Sequence, residues 1–256
     1  LGVLAAQGLL VEGGEPARPP ALVVPALLGA AGLAGGSPGA VADALAARMV
    51  VVAGDGPVAA LVAALLAASG PQVERVEGPP RAAGAGAASR AAALAGADLV
   101  VVVPARAGAA EALSAWDEAL REAGQPWLPV PGLDGRRALV GPLVVPGASA
   151  CWACVQQRRA VASGFGDAWA ALAAAPGPEL AGAAAALVAA LAAHVVLCAL
   201  VDGIGVAVPA GVAWALELAP EPALERHVVH RVPRCPACGD GVAVTQRLPW
   251  QAEAAA

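Results

Sequence analysis

Two short stretches concentrate the residues best suited to chemistry. "CWAC" at Cys151–Cys154 and "CPAC" at Cys235–Cys238 are CxxC pairs, and they take four of the five cysteines in the 256-residue chain. A two-residue spacer lets both sulfurs of a pair face one ion, and four thiolates from two stiff segments close a tetrahedral zinc site. With Cys151, Cys154, Cys235 and Cys238 as ligands no coordination position stays open, so such a zinc is structural rather than catalytic. The proline and glycine of "PRCPACG" suit a zinc knuckle. Redox dithiols or disulfides are the alternatives; one redox CxxC is common, but a matching second one is not. The fifth cysteine, Cys198, sits in an alanine-rich helical run and reads as a small packed hydrophobe.

The other chemical motif is "GDGPVA", Gly54 to Ala59, which fits GxGxxA between a strand and a helix. In a nucleotide site Gly54 and Gly56 would let the backbone approach a phosphate, the helix N-terminus would stabilise its charge, and Glu74, twenty residues on, would bind the ribose. Asp55, however, places a carboxylate beside the phosphates, and Pro57 removes a donor N–H. A tight structural turn is the preferred reading, with a working nucleotide site as the alternative. Asp98 opens a strand and is a further candidate, although a carboxylate at a strand edge is usually just solvated. His227 and His230 lie near Cys235, but an offset of three on a strand sends them to opposite faces. They read as surface or hairpin residues, and His194 as a core or interface histidine. No Ser-His-Asp arrangement, HExxH motif or paired carboxylates stand out.

Composition narrows the classes further. A net charge of −5 and a pI near 5.2 argue against general nucleic-acid binding. All fifteen Lys/Arg residues are arginine, which excludes mechanisms that need a lysine, such as a P-loop or a Schiff base. The start, "LGVLAAQGLLVEGGE", has no basic region typical of a signal peptide. Residues 180–201 are long enough to cross a bilayer, but they are mostly alanine, carry His194 and lack flanking arginines and an aromatic belt. A buried core helix and a cytoplasmic protein are expected, a compartment in which CxxC pairs favour metal or redox chemistry.

The elements that must position these motifs follow from periodicity. Residues 1–14 read as the tail of an upstream module, and 15–47 as a Pro/Gly-rich linker with a helix near Pro25–Leu33 and another at Pro38–Arg48. The main domain spans 48–242, with a C-terminal tail at 243–256. It opens with an apolar strand at Met49–Ala53 and an amphipathic helix, then a short strand in "QVERVEG", then an apolar strand at Asp98–Val103. Continuous valine runs indicate parallel strands covered on both faces. An amphipathic helix follows at Ala110–Gly124, with an acid early and Arg121 late. This β-α-β-α order specifies an α/β class, a Rossmann-like doubly wound, mainly parallel sheet. Beyond Gly124, proline-rich strand-like runs and a turn at Leu133–Arg136 suggest antiparallel strands appended to that sheet.

Taken in order, the GxGxxA unit, "GADLVVVV", "GPLVVPGASACWACVQQRR", a long alanine-rich helix and the terminal "PRCPACG" resemble the ThiF/MoeB/E1-like superfamily over residues 48–239. The "GPLVVPGASACWACVQQRR" segment is most similar to the ocin-ThiF-like leader-peptide-binding proteins of thiazole/oxazole-modified peptide (RiPP) biosynthesis, which partner a YcaO cyclodehydratase. The resemblance implies an E1-like fold with a zinc on the two CxxC pairs, and a winged-helix peptide-recognition module whose remnant would be residues 1–14. Its partners would be a precursor leader peptide and a YcaO-type cyclodehydratase, and it also admits a homodimer. Catalytic members bind ATP with an acidic segment of the "DxxDN" kind and a lysine. Here "DLVVVVPARAG" keeps Asp98 but not the second Asp or the Asn, and no lysine exists. The resemblance therefore implies a non-catalytic scaffold in which Gly54, Gly56, Glu74 and Asp98 are vestiges of a nucleotide site and ATP is not a cofactor. An adenylating sulfur-transfer enzyme of the ThiF/MoeB type is the alternative.

Overall fold

The computed structural model describes residues 24–25, 27–29, 31–77, 94–104, 110–134, 137–165, 168–169, 171 and 179–239. The expected peptide-recognition remnant at 1–14 and the tail at 243–256 lie outside them. The predicted helix near Pro25–Leu33 is helical at 24–25 and 27–29 and ends in a 3-10 turn at Leu33–Gly36.

Helix α1 (Pro38–Ala46) starts where its sequence signals say: the Ser37 hydroxyl accepts from the Ala40 amide at 3.3 Å, and Pro38 holds the first helical position. It delivers the chain into β1 (Met49–Ala53), which is followed by α2 (Gly56–Ala68), β2 (Gln72–Val76), β3 (Leu99–Val102), α3 (Ala110–Glu122) and β4 (Trp127–Pro129). These four strands form one parallel sheet in the order β2-β1-β3-β4. The valine runs are buried on both faces, as such a sheet demands. Val50, Val52 and Val101 pack with α2 and α5 (Gly182–Val201) on one side. Val51, Val100 and Val102 pack on the other with Leu113, Trp116 and Leu120 of α3 and Trp152 of α4 (Trp152–Ser163).

The later strands differ from expectation. β5 (Gly132–Asp134), β6 (Arg137–Val140), β7 (Val212–Glu217) and β8 (Ala223–Val228) are not appended to the parallel sheet; they form a second, wholly antiparallel sheet in the order β5-β6-β7-β8. The outer edge of β4 is already taken: Trp127 and Val144 exchange both backbone hydrogen bonds, at 2.9 and 2.8 Å. Pro129 and Pro131 supply no N–H to extend the ladder. A chain leaving β4 cannot pair beside it and starts a new sheet.

Helix α5 fills the space between the two sheets. It lies along α2 and reaches α1 and β6, so that Ala138, Val140 and Leu216 of the second sheet share one apolar core with Val50 and Val101 of the first. It is long and apolar enough to span a membrane, yet 61 % of its apolar window is buried in this core. Helix α2, expected to be amphipathic, carries no charged residue at all; its outward positions are alanines such as Ala60 and Ala64, with Leu65.

Candidate metal centre

The segment before α4 is a tight turn in which the Val145 amide donates to the Ser149 hydroxyl at 2.8 Å. Cys151 is the residue that caps α4, and Cys154 follows one turn later on the same face. The cysteine makes no capping bond of its own. Instead Asp117 reaches across from α3 and accepts from the Trp152 amide at 3.1 Å, satisfying a donor of the first turn. Asp117 is buried, which pushes its pKa up from the ordinary 3.8, while the Trp152 amide and the charge of Arg121 pull it back.

The second pair sits in a knuckle beyond β8. The Cys235 amide donates to the Val232 carbonyl at 3.1 Å, and the Gly239 amide returns to the Cys235 carbonyl at 2.8 Å. A Cβ on Gly239 would lie 2.5 Å from that carbonyl oxygen, so the glycine of "CPACG" is required by space. Arg158 of α4 donates to the carbonyls of His230 and Arg231. Arg231 in turn donates to the carbonyls of Gly147 and Cys238. Two arginines thus lace the knuckle onto the turn and helix that carry the first pair.

The result is a four-sulfur cluster. Cys151 Sγ stands 3.8 Å from Cys154 Sγ and 3.7 Å from Cys235 Sγ, and Cys154 Sγ stands 3.5 Å from Cys238 Sγ. All four ligand atoms lie within 4.8 Å of one another. A tetrahedron with metal–sulfur bonds of about 2.3 Å has edges of about 3.8 Å, so the set fits one ion of that size. It does not fit disulfides, whose sulfurs would stand about 2.05 Å apart; all four are free thiols. Three of the four are buried, and the Val232 amide donates to Cys154 Sγ at 3.3 Å, as it would to a thiolate.

Without an ion these thiols are poorly matched to their setting. Burial raises the pKa of Cys151 and Cys154. Burial acts the same way on Cys235, but amides of Cys238 and Ala237 and the neighbouring thiols outweigh it and hold that group at about 7. A divalent cation resolves the conflict by replacing protons with one central charge.

The glycine turn assembles differently. Gly54 has φ +129°, and a Cβ there would fall 1.8 Å from the Val103 carbonyl oxygen. Backbone crowding between strand ends therefore accounts for this glycine by itself. Gly56 also has positive φ, at 88°. Glu74 is not at the end of β2: it pairs in register with Val51, and its side chain is exposed. Asp55 lies within the turn itself, and Glu77 follows the end of β2, where Val76 pairs with Ala53. Asp98 lies apart from the turn. It sits at the opposite end of the sheet, roughly 16 Å of strand from Gly54, where it accepts from the Met49 amide at 2.8 Å and pairs with Arg48 at 2.9 Å. The four candidates do not converge.

Of the remaining candidates, His227 is exposed with its Nε2 3.3 Å from the Glu225 carboxylate, and His230 is exposed beyond β8; neither joins the sulfurs. His194 is exposed rather than in the core, with Cys198 Sγ 3.6 Å from its Nε2. Sequence reasoning also missed Asp117, Arg158 and Arg231. The "VQQRR" run after the first pair was the one available signal, for Arg158.

With sheet order and cysteine cluster established, the chain falls into a recognisable class of fold, one shared with a heterocyclase and with a microcin biosynthetic enzyme. The heterocyclase TruD matches with a TM-score of 0.65 and 26% identity over 93% of this chain and 33% of its own. A heterocyclase in complex with substrate and cofactor matches at 0.64 and 21% identity, over 93% and 31%. E. coli MccB with ATP matches at 0.63 and 17% identity, over 93% and 79%. The chain thus spans about a third of the length of the heterocyclases it matches. No family model matches the chain, and no curated protein does.

Proposed function

We propose that this chain is a non-catalytic, E1-like scaffold of ribosomal-peptide modification, which binds the leader of a precursor peptide and presents its core to a YcaO-type cyclodehydratase for azoline formation. The observation that carries this reading is the likeness to the heterocyclase TruD over nearly the whole chain but only a third of that enzyme. The proposal assigns the ring-forming chemistry to a separate partner. Two features support a scaffold over an enzyme. No lysine is present to assist adenylation, and the candidate nucleotide residues are spread over both ends of the parallel sheet. In this reading a zinc ion held by Cys151, Cys154, Cys235 and Cys238 supplies cross-linking alone, since all four of its positions are filled by thiolates. A scaffold of this kind works by raising the local concentration of the core peptide at the partner's site.

The test is titration of a synthetic precursor leader peptide, followed by reconstitution with a YcaO-type cyclodehydratase and its precursor. Binding, together with azoline formation that depends on this chain, is the expected result. Absence of leader binding by the chain, or azoline formation unchanged when the chain is omitted, would refute it. The alternative, adenylation and sulfur transfer, predicts ATP–pyrophosphate exchange by the isolated chain; the scaffold reading predicts none.

A further inference from the structure

The second sheet ends in a strand unlike the others among the described residues. β8 is the last strand in the order β5-β6-β7-β8, and all six of its residues are exposed. The Val229 amide donates inward to Gly211 at 2.8 Å, so by the alternation of an antiparallel ladder Leu224, Arg226 and Val228 turn their N–H and C=O groups outward. Among the described residues these groups meet no strand. The same three residues share one face of the sheet, and two are apolar side chains left in water, Leu224 at 55% and Val228 at 52% exposure. Arg226 between them forms no ion pair among the described residues. On the opposite face the charges are already matched: Glu225 meets Arg137 at 3.4 Å and His227 at 3.3 Å. Of the other strands that end a sheet, β5 has only three residues, and β2 reads Gln72-Val73-Glu74-Arg75-Val76, with no exposed large apolar side chain.

We infer that β8 is a docking edge for an extended peptide segment that carries an acidic residue between two apolar ones at alternate positions. The segment adds as a fifth strand: its main chain meets the outward groups of Leu224, Arg226 and Val228, its apolar side chains lie beside Leu224 and Val228, and its carboxylate faces Arg226. A second copy of this chain fits poorly. Symmetric antiparallel pairing keeps each residue on its own face, so the two-fold axis must pass through a residue position. The registers that overlap most of β8 are centred on Glu225 or Arg226, and each sets a charge directly against its own copy.

This inference rests on the leader-binding reading only for the biological source of the segment; the edge is testable without it. The probe is acetyl-Thr-Val-Thr-Glu-Thr-Val-Thr-amide, with its Glu→Lys counterpart, titrated against the full chain while amide exchange is read by NMR. The expected result is protection of the Leu224, Arg226 and Val228 amides and binding about fivefold tighter for the Glu peptide. Arg226→Glu should reverse that preference, and Arg226→Gln should abolish it. Equal affinity for both peptides, protection elsewhere, or a preference unchanged in either variant would overturn the proposal. So would protection that grows with protein concentration before peptide is added, which would assign the edge to a second copy. The synthetic leader separates the two claims. Leader binding that leaves β8 unprotected sinks this edge but not the scaffold; a docked probe with no leader binding sinks the scaffold but not the edge.

Discussion

The cysteine cluster and the glycine turn were both named by motif, yet the fold treats them in opposite ways. Cys151, Cys154, Cys235 and Cys238 come from segments 84 positions apart and finish within 4.8 Å of one another. Gly54, Gly56, Glu74 and Asp98 come from a far shorter span and finish at the turn, in mid-strand and at the opposite end of the sheet. The difference lies in what each motif demands. A CxxC pair is a complete two-ligand unit wherever its segment lands, whereas a nucleotide site depends on strand register, and register is set by the whole sheet.

The largest effect should come from breaking the cluster. Cys154→Ser removes a fully buried thiol of the candidate metal cluster and is expected to cost about 4 kcal/mol or more in urea unfolding, with loss of about one metal ion per chain by elemental analysis. Metal affinity should also fall steeply as pH drops from 8 to 6, because the raised thiols of Cys151 and Cys154 must shed protons to bind; competition with a chromophoric chelator measures it. Gly54→Ala comes next, at about 3 kcal/mol, because the new methyl meets the Val103 carbonyl and the backbone there is left-handed. It tests whether the glycine serves the strands rather than a ligand.

Asp117→Ala should cost roughly 2 kcal/mol by orphaning the Trp152 amide. Its pH dependence has a definite sign. The native state holds the Asp117 proton more tightly than the unfolded chain does. Its contribution to stability is thus fullest below about pH 3.8 and is lost as pH rises through the native pKa. Asp117→Asn should flatten that slope in a series of denaturant melts. At the small end, Glu74→Gln should change stability by less than about 0.5 kcal/mol, since the side chain is exposed and in mid-strand. A larger change would show that Glu74 does more than sit on an exposed strand face.

Much of the fold was legible because its signals are local. Valine runs without alternation could only be buried parallel strands, and Ser37-Pro38 could only open a helix. The cysteines were legible by type and spacing. What stayed hidden depends on partners distant in sequence. Asp117 caps a helix to which it is not connected by any short segment. The second sheet separates because Val144 returns to close the β4 edge. The placement of Asp98 follows from which end of β3 it occupies, not from its distance along the chain.

The sulfur cluster also has a mechanical meaning. A metal ion on its four thiolates would tie Cys151 to Cys235 and so enclose α4, α5, β7 and β8 in a closed circuit of 84 positions. A chain pulled from its ends would have to hold about 290 Å of contour length in reserve until the ligands gave way. Extension would then arrive in one late step rather than strand by strand, and the helix that joins the two sheets would be the last part of the molecule to feel the load.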